Sequence, residues 1–482
     1  MFNIVATQIL NLSAMAGRNA PAQSHVTLNN FFIFNSTYAP KEGEEENKIM
    51  FYFPPATDID TKIKDIGLCE AVIKFTETFS DKPCQSVHSQ KRRQIFYEPE
   101  KDFWMVMTVN IPTTEKIKDG QPHTEYLEDD VQDHIYESVL KQAYKMFRLF
   151  MGSFYSVCKK GNVQSLKQRF DHFFSRYLLT LKLNTCDLLD VFNGIHFLPL
   201  DKNTYLQIQC FINNLEATFP QIHYSAFLYN DQLVWSGLEQ EDMRIMYKYL
   251  TTSLFPPFTE LELQGSSQSS PSASNQTGAV HYGRFITGPA NLNDASNIGK
   301  VPRVFVNTDL QSEECHLLVY KALSANVCLL VDASFQMDLE FFRKLDSFLG
   351  PQLSELASGI SEQYAKRPPS GHSDPQIRYI YFNHMNLAQK TTLHSDGRKS
   401  PNVTTPPEIL RLIGDINHDM TRTCEDGETI IKTCSDYWVV GKRSDQREFY
   451  VVIYQKNANL ILINEEVKRL CASNFSNIFF LD

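Results

Sequence analysis

No CxxC or CxxH pair occurs in this sequence, although ten cysteines are scattered through its 482 residues. That spacing excludes the usual sequence-local zinc motifs and redox pairs. Several cysteines, including Cys69, Cys186, Cys328 and Cys471, sit inside apolar runs. Free buried thiols in a reducing compartment are therefore expected rather than a disulfide framework or a metal centre. The chain also lacks the roughly 18 consecutive apolar residues that a membrane-crossing helix needs. Positive charge is in deficit, with 46 Lys and Arg against 56 Asp and Glu and a net charge of −10. That balance argues against a nucleic-acid binder and against an unaided polybasic membrane anchor.

Nucleotide and hydrolase motifs are missing as well. The sequence contains no GxxxxGK[ST], no GxGxxG after a strand, no HExxH and no GxSxG. "HSD" occurs at His372 and at His394, but both copies lie in loop-like sequence. Adjacent Ser, His and Asp cannot reach the geometry of a catalytic triad. "TDIDTK" (57–62) lacks the glycine and the final glutamate of a calcium loop. The N-terminal "MFNIVATQILNLSAMAG" imitates a signal peptide, yet no cation precedes its apolar run and polar residues interrupt it. The expectation is a cytosolic protein with no cofactor and no catalytic residue.

What is present is enough to build cores: 42% apolar and 12% aromatic residues. At roughly 150 residues per domain, about three domains are expected. The sequence repeats itself accordingly. "FFIFN" (31–35), "FLYN" (227–230) and "IYFN" (380–383) are aromatic strands ending in asparagine. Each is followed by a second strand, a helix, about three more strands and a closing helix. One antiparallel sheet covered by helices, three times over, is the α+β solution to that order. Turn-rich stretches at 264–278 and 365–375 read as a disordered loop and a linker. The expected units are a flexible N-terminal segment (1–27), a first domain (28–184), a second (185–364) and a third (376–482).

One helix has more apolar surface than a single sheet can cover. In "IGLCEAVIKFTETF", Leu68, Val72, Phe75 and Phe79 form one stripe, assigned here to the domain's own sheet. Ile66, Cys69, Ile73 and Thr76 form a second, expected to be an interface unless the helices of 129–183 cover it. Two charge clusters accompany it. Glu44, Glu45 and Glu46 decorate the first hairpin loop, and "QKRRQ" (90–94) reads either as a solvated strand edge or as a patch for an acidic partner or phosphoinositide.

Longer words then carry a resemblance. "GLCEAVIKFTETFS", "FWMVM", "FLYNDQLVWSGLEQEDMRIMYKYLTTSLFP", "HYGRFITGP", "YFNHMNLAQK" and the C-terminal "SDYWVVGKRSDQREFYVVIYQKNANLILINEEVKRLCASNFSNIFFLD" resemble the animal Ccz family of vacuolar-fusion subunits. The likeness runs from about residue 28 to the end, outside 264–278. It implies three longin domains, each a five-stranded antiparallel sheet flanked by helices. It further implies pairing with a Mon subunit and, in animals, a third, larger subunit. Together these would form an exchange factor for the late-endosomal Rab GTPase, recruited peripherally to endosomal membranes. The first longin domain would supply the partner and Rab platform. Ile66, Cys69, Ile73 and Thr76 are its candidate contacts, with Glu44, Glu45 and Glu46 placed near the Rab. A longin adaptor without exchange activity is the competing class, since fold alone does not fix function.

Overall fold

The computed structural model describes residues 24–474 apart from 40, 42, 82, 119–120, 161, 264–271, 274–279, 295–297, 308–311, 367–376, 394–404 and 424–425. Both "HSD" copies and most of the 264–278 and 365–375 segments lie outside the described residues, as do residues 1–23. Within the segment 1–27, residues 24–27 are described: the Ser24 amide donates to the Thr113 carbonyl at 2.9 Å, and Thr27 opens the first strand.

The first domain contains β1 (Thr27–Asn35), β2 (Ile49–Phe53), α1 (Ile59–Glu77), β3 (Ser86–His88), β4 (Arg92–Glu100) and β5 (Phe103–Asn110). A two-stranded ribbon follows, β6 (Thr113–Lys118) with β7 (Gln121–Tyr126), and then α2 (Asp133–Met151), α3 (Phe154–Lys160) and α4 (Val163–Thr180). Its sheet has the order β2-β1-β5-β4-β3. Residues alternate between two buried faces. Phe31, Ile33, Phe51, Met105 and Met107 meet α2 and α4 on one side. Phe32, Phe34, Tyr52, Trp104 and Val106 meet α1 on the other. A strand buried on both faces must be apolar at nearly every position, which explains the unbroken "FFIF".

After α5 (Leu188–Phe192) and α6 (Lys202–Thr218), the second domain runs β8 (Ile222–Tyr229), β9 (Gln232–Ser236), α7 (Gln240–Tyr249) and α8 (Phe255–Leu263). It continues through the short β10 (Ser272–Ala273) and β11 (Val280–His281), then β12 (Gly283–Phe285), β13 (Arg303–Val306), β14 (Glu313–Ala322), β15 (Ala325–Asp332) and α9 (Leu339–Lys366). The third domain holds β16 (Ile377–Asn383), β17 (Ala388–Thr391), α10 (Pro407–Thr423), β18 (Gly427–Lys432), β19 (Tyr437–Ser444), β20 (Arg447–Tyr454) and α11 (Leu460–Asn474).

The three sheets share one topology. The third reads β17-β16-β20-β19-β18, again second-first-fifth-fourth-third. The second reads β9-β8-β15-β14, with β12 and β13 both pairing β14 at different heights in the place of the third strand. The asparagines end the opening strands for related reasons. Asn35 and Asn383 accept the amides two residues on, from Thr37 and Met385, at 2.9 Å each. Asn230 takes φ +53° in the tight turn between β8 and β9. Short polar side chains suit both roles.

Domain allegiance differs from the sequence division at two places. The segment from 185, expected in the second domain, sends Leu188 and Phe192 into the third core, where Phe192 stacks on Phe382 with centroids 4.4 Å apart. Helix α2 serves two domains at once: Ile135, Val139 and Phe147 fill the first core, while Met146 and Leu149 belong to a core of the second. Its N-terminal end reaches the third domain as well. Gln132 donates to the Arg411 carbonyl at 3.0 Å and to Asp415 at 2.6 Å, and Arg411 pairs with Asp130.

Candidate functional site

Helix α1 is capped by Asp58, whose carboxylate accepts the Thr61 amide at 2.8 Å. "TDIDTK" is therefore a helix start. The two stripes of α1 face opposite to expectation. Ile66, Cys69 and Ile73 are buried against Phe32, Phe34, Tyr52, Trp104 and Val106. Thr76 is half-buried and returns its hydroxyl to the Ile73 carbonyl at 2.9 Å. Of the four residues assigned to the sheet, three stand in solvent instead, Leu68 at 60% exposed, Phe75 at 67% and Phe79 at 68%, while Val72 is half-buried. Helical periodicity groups residues into stripes, but it carries no absolute phase. Two polar clamps set that phase here.

The first clamp is Asp65, which accepts from the Tyr52 hydroxyl at 2.6 Å and from Asn30 at 3.2 Å. The second is Glu70, which bonds Lys48 of the hairpin loop and Lys74 of its own helix, each at 2.6 Å. Burial opposes ionisation of Glu70, but the two lysines together hold its carboxyl below the usual range. Burial pushes the Cys69 thiol up to about 12, so it is an inert packing group.

Helices α2 and α4 pack on the far side of the sheet and leave the α1 surface uncovered. Phe75 and Phe79 stack edge to face there, with centroids 5.2 Å apart. Aromatic side chains left in water on a rigid helix are what the centre of a protein interface is made of. Sequence reasoning found the surplus surface but put it on the wrong stripe. The acidic turn stands beside this helix. Glu44 and Glu46 are exposed, and Glu45 opens a single 3-10 turn, Glu45–Lys48, accepting the Gly43 amide at 3.0 Å. Lys48 of the same turn is the residue that grips Glu70.

The "QKRRQ" run divides. Arg92 is exposed, but Arg93 is buried on β4, an interior strand, and donates to Asp133 at 2.8 Å. Neither a solvated edge nor a free patch describes Arg93. Ser86, His88 and Asp133 also meet here, a grouping that sequence distance concealed. It is not a hydrolytic relay. Ser86 lies 3.2 Å from His88 Nε2, and the same nitrogen lies 2.6 Å from Asp133. A triad needs the imidazole between base and nucleophile with one nitrogen toward each.

A crevice of about 1440 Å³ opens where the three domains meet, lined by residues of α2, α4, α5, α7 and β17. Asp187 caps α5 there, accepting the Leu189 amide at 2.8 Å. Burial, reinforced by Asp190, raises its carboxyl to about 7. Lys248 stands 3.7 Å from Asp190 and donates to Gln142 of α2.

Comparison with known proteins follows the same threefold division. The family described as "First Longin domain of INTU, CCZ1 and HPS4" matches residues 28–152. "Intu longin-like domain 2" matches 222–350 and "Intu longin-like domain 3" matches 373–470. The "Vacuolar fusion protein CCZ1 homolog" of Xenopus laevis is 56% identical over 463 residues, covering 95% of this chain and 98% of the relative. That of Nematostella vectensis is 58% identical over 455 residues, 94% and 98% of the two chains. The Dictyostelium discoideum homolog is 31% identical over 462 residues, with 94% and 98% covered. Three longin domains in one order and end-to-end identity at these levels lead to one conclusion: the chain belongs to the CCZ1 family of vacuolar fusion proteins.

Proposed function

We propose that this chain is one subunit of a heteromeric guanine-nucleotide exchange factor. It acts with a Mon subunit and a third, larger subunit on the late-endosomal or vacuolar Rab GTPase. The observation that carries this reading is the uncovered face of α1 in the first longin domain, formed by Leu68 and Phe75 and continued by Phe79 in the turn just past the helix. Exchange makes and breaks no covalent bond, so what it requires is a shaped surface. A GTPase holding nucleotide at picomolar affinity must be offset by about 16 kcal/mol. A platform achieves this by binding the nucleotide-free, switch-displaced state better than the loaded one, after which cellular GTP completes the cycle. In this reading the α1 face meets the Mon subunit or the Rab, and the acidic turn at Glu44–Glu46 lies at the margin of that contact.

Among the described residues, no helix is long and apolar enough to cross a membrane. Attachment to late endosomes and lysosomes is accordingly assigned to the assembled complex, as a peripheral contact. The test is release of a fluorescent GDP analogue from the Rab with this chain alone, with its Mon partner alone, and with both. Strong acceleration only with both supports a shared platform. Formation of the complex without acceleration overturns the exchange reading in favour of an adaptor that recruits trafficking or autophagy factors.

A further inference from the structure

One end of the second sheet gathers side chains that no sequence spacing connects. His223 of β8 and Glu313 and Cys315 of β14 place one ligand-type atom each within 4.8 Å of one another. Strands β8 and β14 are not neighbours, because β15 runs between them. Asp332, the last residue of β15, pairs directly with Cys315 across the ladder and completes the group. Glu313 and Cys315 are two apart on one strand and so share a face.

The separations are slightly wider than those a bound metal ion would draw its donors to. Bonds of about 2.0–2.3 Å in a tetrahedral zinc site set its donors roughly 3.3–3.8 Å apart. His223 Nδ1 lies 3.9 Å from Glu313 Oε2. The other ring nitrogen, Nε2, faces Asp332 Oδ2 at 3.7 Å. A carboxylate behind the non-ligating nitrogen is the usual support of a metal-bound histidine, since it fixes the tautomer and orients the ring. Glu313 is held too. It accepts from the Tyr224 hydroxyl at 3.1 Å and from the Asn307 amide at 3.3 Å.

The chemistry of the set is selective. A thiol with an imidazole and a carboxylate suits zinc and its neighbours in the transition series, whereas magnesium and calcium prefer oxygen alone. Cys315 is fully buried, while the His223 and Glu313 side chains are 40% and 39% exposed. The site is thus open on one side, where water can supply a fourth ligand. We propose that His223, Glu313 and Cys315 form a Zn²⁺ site, with Asp332 positioning His223, which ties β8 and β14 together across the end of β15. Binding expels the Cys315 proton to solvent as the thiolate–metal bond forms, with no change of oxidation state.

The experiment uses the full chain stripped of metal and titrated with Co²⁺ and then Zn²⁺. The expected results are one ion per chain, a near-ultraviolet thiolate-to-cobalt band, displacement by Zn²⁺ but not Mg²⁺, and release of one proton in calorimetry across buffers. Cys315→Ser abolishes the band, and His223→Ala, at an exposed position that folding tolerates, removes tight binding. Asp332→Asn weakens affinity by about 10–100-fold. Absence of the band overturns the site. So does a band that survives both Cys315→Ser and His223→Ala, which would mark adventitious binding at exposed thiols such as Cys210 or Cys434.

Discussion

Replacing Phe75 and Phe79 together with aspartate should leave the isolated chain as stable as the parent while disabling its complex. The magnitude follows from exposure. Fully burying a phenylalanine is worth about 1.5–3 kcal/mol. The two rings are 67% and 68% exposed, so pairing has roughly two-thirds of that still to gain at each, about 2–4 kcal/mol together. At 1.4 kcal/mol per decade, the double variant should bind its Mon partner about 30- to 700-fold more weakly. Ile73→Asp must behave in the opposite way. Ile73 is 4% exposed and packed against the sheet. A carboxylate there forfeits about 1.5–3 kcal/mol of transfer energy and adds several more for an unpaired buried charge. That sum is comparable with the roughly 5–15 kcal/mol that holds a domain folded. The assay combines thermal melts of the isolated chain, calorimetric affinity for the partner, and GDP release with the assembled complex. Wild-type affinity and exchange in F75D/F79D would refute the role of this face. A soluble I73D chain with an unchanged melt would refute the assignment of the buried stripe.

Two further substitutions probe the junction of the three domains. Asp187→Asn keeps the oxygen that accepts the Leu189 amide but removes a carboxyl whose folded value, about 7, lies above its ordinary 3.8. A raised carboxyl contributes stability fully at low pH and loses it as pH climbs toward that folded value. The variant should therefore exceed the parent by about 2–4 kcal/mol at pH 8 and match it near pH 4, read by urea unfolding at both pH values. A gain independent of pH would show that Asp187 is not the titrating group. Phe192→Ala removes a buried ring stacked on Phe382 and should cost about 3–5 kcal/mol. Hydrogen exchange should then accelerate first in residues 377–454 of the third domain, and acceleration confined to 222–332 would contradict the placement of α5.

Much of this architecture is legible in the sequence. Strands such as "FFIF" and "FWMVM" are apolar at every position because helices cover both sides of their sheet, and that pattern survives translation into sequence. The recurring strand, strand, helix, strands, helix order announced the threefold repeat for the same reason. The spacing of Phe342, Leu345, Leu349, Leu353, Leu356 and Ile360 likewise predicts one apolar stripe along α9, and all are buried in the second core except Leu356, which is half-buried against it. What failed was any inference needing phase or long-range company. Ile66–Cys69–Ile73 and Leu68–Phe75–Phe79 are equivalent as periodic patterns. The choice between them rests on Asp65 reaching Tyr52 and Glu70 reaching Lys48, both contacts between elements.

Local pattern by itself thus determined the class of fold, the number of domains and the presence of a surplus apolar surface. These depend on alternation, periodicity and turn chemistry within a few residues. Tertiary structure alone decided which face of α1 meets solvent and that α5 serves the third core. It alone split the third-strand position of the second sheet between β12 and β13, and it alone brought His223 to Glu313 and Cys315. Each of those outcomes is set by contacts between residues far apart in the chain, whose energies no short stretch of sequence records.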